Sequence, residues 1–380
     1  MLIGIDGNEA NVKNRVGVGE FAFGVIRALY QLDKKNQYRI YLKDNPLTDL
    51  PKERPGWKYC VFGPKFAWTQ WRLPLKLRHE RPRLDVFFSP NHYAPRFCPV
   101  PSVISIMDLW HHYHPEQFRA RDLYQLKNWE AYSVKQAKRI IVISEFTKSE
   151  IIKFCKIPGD KIVVAYPGVQ GFKGSRVQGF KVEEVKKKYG ITGDYILYLG
   201  TLQPKKNLIR LIEAFRILNI QYPIFARNQA GLIYNIFLVI AGKKGWLYEE
   251  IFERVKKVKM EEMVIFTDFV SEEDKPALIS GASCFVLPSL YEGFGIPVLE
   301  AMAIGVPVAI SKTASLPEVG GEAAFYFNPE NPASIAETLD KVLKLGSPER
   351  ERVVELGRKQ AEKFSWEKCA KIILEVLENV

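Results

Sequence analysis

Two glutamates, Glu292 and Glu300, stand eight residues apart in the stretch Pro288 to Pro307, PSLYEGFGIPVLEAMAIGVP. A carboxylate accepts hydrogen bonds readily, and two at this separation can each take a pair of hydroxyls on a different ring of one extended ligand. A nucleotide sugar has two such rings. In a second segment, GTLQPKKN, Lys205 and Lys206 follow a strand-like run and precede a helix-like one. Two cations at a helix N-terminus can neutralise a diphosphate and stabilise it as a leaving group. Two glutamates at this spacing more often mark a solvated helix face, and a lysine pair more often sits solvated in a loop. Glycines beside the first motif, and the strand end before each, separate these segments from such backgrounds.

The residues around the glutamates dictate how they are held. CFVLPS reads as a short buried strand, Gly293 and Gly295 permit a tight turn, and Pro297 suits the first position of a helix. A turn of this kind directs the amides of Phe294 and Gly295 outward at the positive end of a helix dipole. Similar alternation runs through the whole chain. From the N-terminus, LIGIDG, YRIYL, DVFFSP, SVISIMD, RIIVIS and KIVVAYPG alternate with helical segments, among them a basic helix near residue 70, a helix over 120–137 and another from Glu145. A second series begins at DYILYLG and continues through IFLVIAG, VIFTDFV, SCFVLPS, VPVAIS and AAFYFN. Alternating strands and helices predict parallel sheets covered on both faces, so the expected fold class is α/β. A length of 380 residues agrees, being enough for two domains of roughly 150 to 200 residues each. The boundary is expected near 175/176, with a glycine- and lysine-rich linker in 171–190 and an exposed insertion at 226–234. Neither series holds a G-x-G-x-x-G with a trailing ribose acid, which argues against a nicotinamide cofactor.

A hydrophobic share of 47% with 26% charged residues fits a globular chain. No apolar run reaches the roughly 18 to 20 residues that span a bilayer, and MLIGIDGNEA does not read as a secretion leader, so a cytoplasmic location is expected. Five cysteines, at 60, 98, 155, 284 and 369, lack CxxC spacing and predict neither a zinc site nor a disulfide framework. The formal charge of +12 invites a nucleic-acid reading, but no recognition motif supports it. Ten basic against three acidic residues fall in 51–100, where KFAWTQWRLPLKLRHERPR interleaves Trp68 and Trp71 with cations. That pattern suits peripheral contact with an anionic membrane through 65–83, at the inner face of the cell membrane. An ordinary surface helix with core tryptophans is the alternative.

The forty-residue stretch YEGFGIPVLEAMAIGVPVAISKTASLPEVGGEAAFYFNP resembles the donor-site signature of family 4 retaining glycosyltransferases of the GT-B fold. Further landmarks of that family appear in order: RVGVGEFAFGVIRAL, ISEFTKSEI, YLGTLQPKKNLIRLIEAF, LVIAGKKGWLYEE and FSWEKCAKIILEVL. The resemblance implies two Rossmann-like, doubly wound domains, an N-terminal acceptor-side domain over 1–175 and a C-terminal nucleotide-sugar domain over 176–364 facing it across a central cleft, and a helix over 365–380 crossing back to the first. It gives Glu300 the ribose hydroxyls and Glu292 the hydroxyls of the donor sugar. Lys206 carries the diphosphate, helped by Lys205, where related enzymes often place arginine. Thr201, Gly293, Phe294, Gly295, Ile296 and Val298 line the donor, and Lys243 lies in a segment that receives the base. Gly17 and Gly19 of RVGVG let backbone approach the donor phosphates, with Arg15 adding charge.

One departure stands out. The family usually carries a histidine before the aspartate of SVISIMDLWHHYH, and here that residue is Met107, followed by Asp108. Methionine keeps the backbone carbonyl expected to face the anomeric carbon and loses the ring that helps hold the sugar. His111 is the nearest replacement, and Ser144 marks an acceptor-side loop unless it merely caps a helix. H-H-x-H lacks a second ligand group at suitable spacing, and there is no D-x-D, so no metal is expected. No cofactor is expected either, the nucleotide sugar being a substrate. The implied reaction moves a sugar, mannose from GDP-mannose by closest resemblance, to a glycan or lipid-linked acceptor with retention. Front-side attack, with the leaving phosphate taking the acceptor proton, and closure of the domains about 171–190 are implied with it. Two alternatives stand: a nucleotide-sugar-binding protein that lost catalysis with the histidine, and a GT-B epimerase.

Overall fold

The computed structural model of the chain describes residues 1–63, 65–169, 181–221 and 236–380. It divides into two compact units, Met1–Gly168 with Phe364–Val380, and Val169–Lys363. Half of the expected linker, 171–180, and the expected insertion at 226–234 lie outside the described residues. The other end of the 171–190 segment forms a helix, Val182–Lys188.

In the first unit seven parallel strands are ordered β3-β2-β1-β4-β5-β6-β7. They are β1 (Leu2–Asp6), β2 (Gln37–Leu42), β3 (Trp57–Val61), β4 (Val86–Ser89), β5 (Ser102–Ile106), β6 (Arg139–Val142) and β7 (Ile162–Val164). Every residue of β1, β4 and β5 is buried, as a sheet covered on both faces requires. Register follows directly, with Ile3 of β1 opposite Tyr38 on one side and Val86 on the other. Strand β3 was not legible in the sequence. It is an edge strand, paired among the described strands to β2 alone and flanked by Lys52, Glu53 and Arg54, so its core face is reduced to Trp57 and partly covered neighbours. Its signal was the β-forming run WKYCV directly after a Pro-Gly turn.

The second unit holds six parallel strands in the order β10-β9-β8-β11-β12-β13. These are β8 (Asp194–Leu199), β9 (Ile236–Ala241), β10 (Val264–Asp268), β11 (Cys284–Leu287), β12 (Val308–Ser311) and β13 (Ala324–Phe327). In each sheet the order reverses once, between β1 and β4 and between β8 and β11. Loops leaving the carboxyl ends of such a strand pair diverge, which opens the crevice where doubly wound sheets bind ligands.

The last helix, Trp366–Glu378, belongs to the first unit and packs on the helix Val18–Leu32. Cys369, Ala370, Ile373 and Leu377 form its buried stripe, at the three- and four-residue spacing of a helix face. Two glycines receive it. A Cβ on Gly24 would lie 2.5 Å from the Trp366 ring, and one on Gly168 would lie 1.9 Å from the Trp366 backbone nitrogen.

Candidate active site

At the crossover of the second sheet, the loop after β8 and the loop after β11 are tied together by backbone and by one asparagine. Beyond their strands β8 and β9 stay in contact, with Gly200 N donating to Ala241 O at 2.9 Å and Leu202 N to Lys243 O at 2.9 Å. Glycine is required at Gly242, where φ is +146° and a Cβ would fall 2.0 Å from Gly200 O. Pro204–Lys206 then make one 3₁₀ turn that ends at Asn207 in the left-handed region, φ 60°. Asparagine tolerates that conformation, and its Nδ2 donates to Pro288 O at 3.0 Å and Pro329 O at 2.7 Å. Leu290 N donates to Lys205 O at 2.9 Å, a second tie between the loops.

Lys206 is thereby delivered to Glu292. Its Nζ lies 2.5 Å from Glu292 Oε1, which also accepts from Ser289 Oγ at 2.5 Å. Glu292 is buried and Lys206 half-buried, so the pair is shielded from the screening that weakens surface ion pairs. Below them Tyr198 is fully buried and donates to Thr201 O at 3.2 Å. Burial, and then the charge of Glu292, push the Tyr198 phenol well above its ordinary pKa. The turn itself is held by Ser315, whose Oγ lies 2.9 Å from the carbonyl oxygens of both Glu292 and Phe294.

Gly295, at φ +114°, caps the helix Ile296–Ile304, so Ile296 takes the first helical position and Pro297 the second, one later than expected. A Cβ on Gly295 would lie 2.9 Å from Leu316 Cδ2. Gly293, Phe294 and Val298 are buried, Ile296 is half-buried, and Glu300 sits one turn into the helix. Lys275 Nζ lies 2.7 Å from Glu300 Oε1 and 2.7 Å from Glu272 Oε2. Burial lowers the Lys275 pKa, but the two carboxylates outweigh it and the ammonium is raised above the usual lysine value. Lys243 is half-buried on the loop after β9. The second unit thus gathers Lys205, Lys206 and Glu292 on adjoining loops, with Glu300 on the helix that follows.

In the first unit Gly17 caps the helix Val18–Leu32 with φ 49° and ψ −107°. Space is open around it, so backbone conformation alone calls for glycine there. A Cβ on Gly19 would meet Glu9 O at 3.0 Å. Arg15 does not offer a spare charge. Its guanidinium grips Asp49 at 2.6 and 3.0 Å, donates from Nε to Ala10 O at 2.7 Å, and lies 3.8 Å over the Phe23 ring.

Met107 is buried at the end of β5, its carbonyl 3.5 Å from Thr147 Oγ1. Asp108 accepts from Trp110 N at 3.1 Å. His111, the expected replacement for the missing histidine ring, is 2% exposed, with Nε2 facing Glu130 Oε1 at 3.5 Å, and burial lowers its pKa. Ser144 is a helix cap, fully buried and accepting from Thr147 N at 3.0 Å.

Several polar residues at the first crossover were missed. Asn8 and Glu9 follow β1, and Asn91 and His92 follow β4. Asn8 Nδ2 donates to Asp6 Oδ1 at 2.6 Å, and His92 Nδ1 lies 2.6 Å from Glu130 Oε2. Burial disfavours the His92 cation, yet the Glu130 hydrogen bond and the charges of Glu130, Asp108 and Glu9 together raise its pKa. Glu130 arrives from a π-helical turn, Leu126–Glu130, inside the helix expected over 120–137. Position at the ends of β1 and β4 was the available signal, once the reversal of strand order is known. His111, His112 and Glu130 place ligand atoms within 4.8 Å of one another, a grouping that spacing alone did not show. The ring centroids of His111 and His112 lie 4.3 Å apart with the planes tilted by 42°, and Glu130 is already engaged by His92.

Residues 181–360 match the family profile described as Glycosyl transferases group 1, and residues 32–170 match Glycosyltransferase Family 4. Among curated relatives, the O-antigen chain mannosyltransferase B of Escherichia coli is 33% identical over 288 residues, covering 75% of this chain and 71% of the relative. The chain belongs to glycosyltransferase family 4. A second E. coli relative, the serotype-specific mannosyltransferase WbdA, is 30% identical over 247 residues, or 63% of this glycosyltransferase and 29% of that larger protein. Among solved structures, Anabaena HepE in complex with UDP-glucose superposes with a TM-score of 0.73 at 16% identity, covering 100% of this chain and 99% of HepE. Sucrose-phosphate synthase from Thermosynechococcus elongatus gives 0.76 at 15% identity, covering 100% and 98%. At these identities the likeness is one of fold, and the fold of this glycosyltransferase is GT-B.

Proposed function

We propose that this glycosyltransferase transfers mannose from GDP-mannose to a hydroxyl of a growing glycan or lipid-linked acceptor, with retention and without a metal ion. The observation that carries the donor site is the Lys206–Glu292 pair at the crossover of the second sheet, 2.5 Å apart. It joins a cation suited to a diphosphate to a carboxylate suited to sugar hydroxyls. The names of the relatives, both mannosyltransferases, supply the preference for mannose.

In this reading Glu300 accepts from the ribose hydroxyls and Glu292 from those of mannose. Lys206, Lys205 and the N-terminus of the helix Ile296–Ile304 stabilise the charge that builds on the diphosphate as the C1–O bond breaks. Glu292 is held by Lys206 and Ser289, an environment for a hydrogen-bond acceptor and not for a nucleophile. The acceptor oxygen therefore bonds to C1 from the face the diphosphate leaves, and its proton passes to the departing phosphate oxygen. GDP and a retained glycoside are the products. The two lysines supply the positive charge that a divalent ion supplies elsewhere. Turnover in excess EDTA is expected to match turnover with Mg²⁺ or Mn²⁺, and proton NMR of the product should show the donor's α configuration. A β product, or dependence on added metal, overturns this mechanism.

The acceptor is assigned to the first crossover, where Asn8, Glu9, Asn91 and His92 present hydrogen-bonding groups on the loops after β1 and β4. Contact with an anionic membrane is the second part of the proposal. No helix among the described residues is long and apolar enough to cross a membrane. Trp68 is core, donating from Nε1 to Phe62 O at 3.1 Å, but Phe66 and Trp71 are 87% and 71% exposed beside Lys65, Arg72 and Lys76. Exposed aromatics ringed by cations suit a lipid interface. Vesicles containing phosphatidylglycerol are expected to sediment the protein and pure phosphatidylcholine vesicles to leave it in solution. Trp71→Ser should weaken sedimentation about tenfold, taking a buried aromatic as roughly 1.5 kcal/mol or more. Equal partition onto both lipids contradicts the assignment.

A further inference from the structure

The two glutamates of the donor site are held in different ways. Glu292 is fixed from two loops, by Lys206 and by Ser289, whereas Lys275 is the one side chain bonded to Glu300 among the described residues. Lys275 opens the short helix Lys275–Ser280, which packs on the helix carrying Glu300. That carrying helix is otherwise apolar where it is covered, with Val298, Leu299, Ala301 and Met302 all buried. A carboxylate 13% exposed on such a surface gains little from water, so its orientation depends on the ammonium 2.7 Å away. The ammonium is held in turn by Glu272, which is 59% exposed and serves as its outer anchor. Among the described residues only Oε1 of Glu300 is taken, and Oε2 keeps its lone pairs for another donor.

We propose that Lys275 is a positioning residue for donor recognition, clamping Glu300 through Oε1 so that Oε2 accepts the ribose hydroxyls and the enzyme selects ribonucleotides over 2′-deoxyribonucleotides. This rests on the reading of Glu300 as the ribose contact. A site that bonds a hydroxyl leaves a buried polar group unpaired when the hydroxyl is missing, which makes the discrimination large enough to measure. Lys275 touches no substrate atom in this scheme. Its effect passes entirely through the direction in which Glu300 is held.

Binding of GDP and 2′-deoxy-GDP, and of UDP and 2′-deoxy-UDP, would be measured by calorimetry on the full-length protein and its variants. The unmodified protein is expected to prefer the ribonucleotide of the better-bound pair by about tenfold or more. Glu300→Ala should bring that ratio to about one. Lys275→Met and Lys275→Gln should bring it most of the way to one and raise the donor KM several-fold with kcat within about twofold, while Lys275→Arg, which can still bond Oε1, should keep most of the preference. Two variants of different polarity guard against one that fails to fold, and the ratio is insensitive to a uniform loss of folded protein. A preference that survives Glu300→Ala removes the ribose reading. A preference lost in Glu300→Ala but intact in both Lys275→Met and Lys275→Gln overturns the role of Lys275 alone.

Discussion

Replacing Lys206 with alanine is expected to lower turnover by about a hundredfold or more with the fold intact, the size of losing one preorganised charge contact in a shielded site. The change acts twice. It removes the cation proposed to face the leaving diphosphate, and among the described residues it leaves the buried Glu292 carboxylate with Ser289 as its side-chain partner, so that a negative charge now faces the incoming phosphates. Because the charge develops as the bond breaks, kcat should fall more than KM rises. Lys206→Arg restores the charge but not the geometry that puts Nζ 2.5 Å from Glu292, and is expected to recover part of the rate. Release of nucleoside diphosphate from the donor measures all of this. Unchanged turnover in Lys206→Ala would remove the site assignment.

Glu292→Ala is expected to cost a similar factor, about a hundredfold, for a different reason. It removes the proposed acceptor for sugar hydroxyls and frees the Lys206 side chain from the partner that positions it. Glu292→Gln retains an oxygen for Ser289 Oγ and is expected to fall between the parent and the alanine variant. Since Lys206 and Glu292 act as a unit, the double variant should be less impaired than the product of the two single effects. Steady-state rates of the four proteins close that cycle. Strictly multiplicative losses would show that the two residues work apart.

The parts of the proposed donor site were legible in the sequence to the extent that they are local. A buried run, a glycine turn and a helix put Glu292 and Glu300 on one stretch of chain, and another strand end put Lys205 and Lys206 before a helix. Their meeting was not local. Lys206 and Glu292 are 86 residues apart and become neighbours because β8 pairs with β11 where the strand order reverses. The partner of Glu300 was hidden for the same reason, Lys275 lying 25 residues upstream on a helix too short to announce a function. At the first crossover the conspicuous H-H-x-H spacing pointed to His111, which is packed away, and passed over His92, which stands alone in the sequence at the end of β4. Arg15 and Trp68 show a related gap. Residue type suggested a role for each, but the partner, Asp49 for one and the core for the other, was set by tertiary packing.

Donor choice tests the central claim most directly. GDP-mannose, UDP-glucose, UDP-N-acetylglucosamine and UDP-galactose would each be given to the full-length protein in EDTA, with thermal stabilisation and release of free nucleoside diphosphate read side by side. The expected result is that GDP-mannose both stabilises the protein and is slowly turned over to GDP, with the UDP-sugars giving neither. Stabilisation and release with a UDP-sugar, and none with GDP-mannose, would contradict the mannosyl assignment. Stabilisation without release, even when glycan and lipid-linked acceptors are supplied, would contradict catalysis by this site and direct attention to Met107.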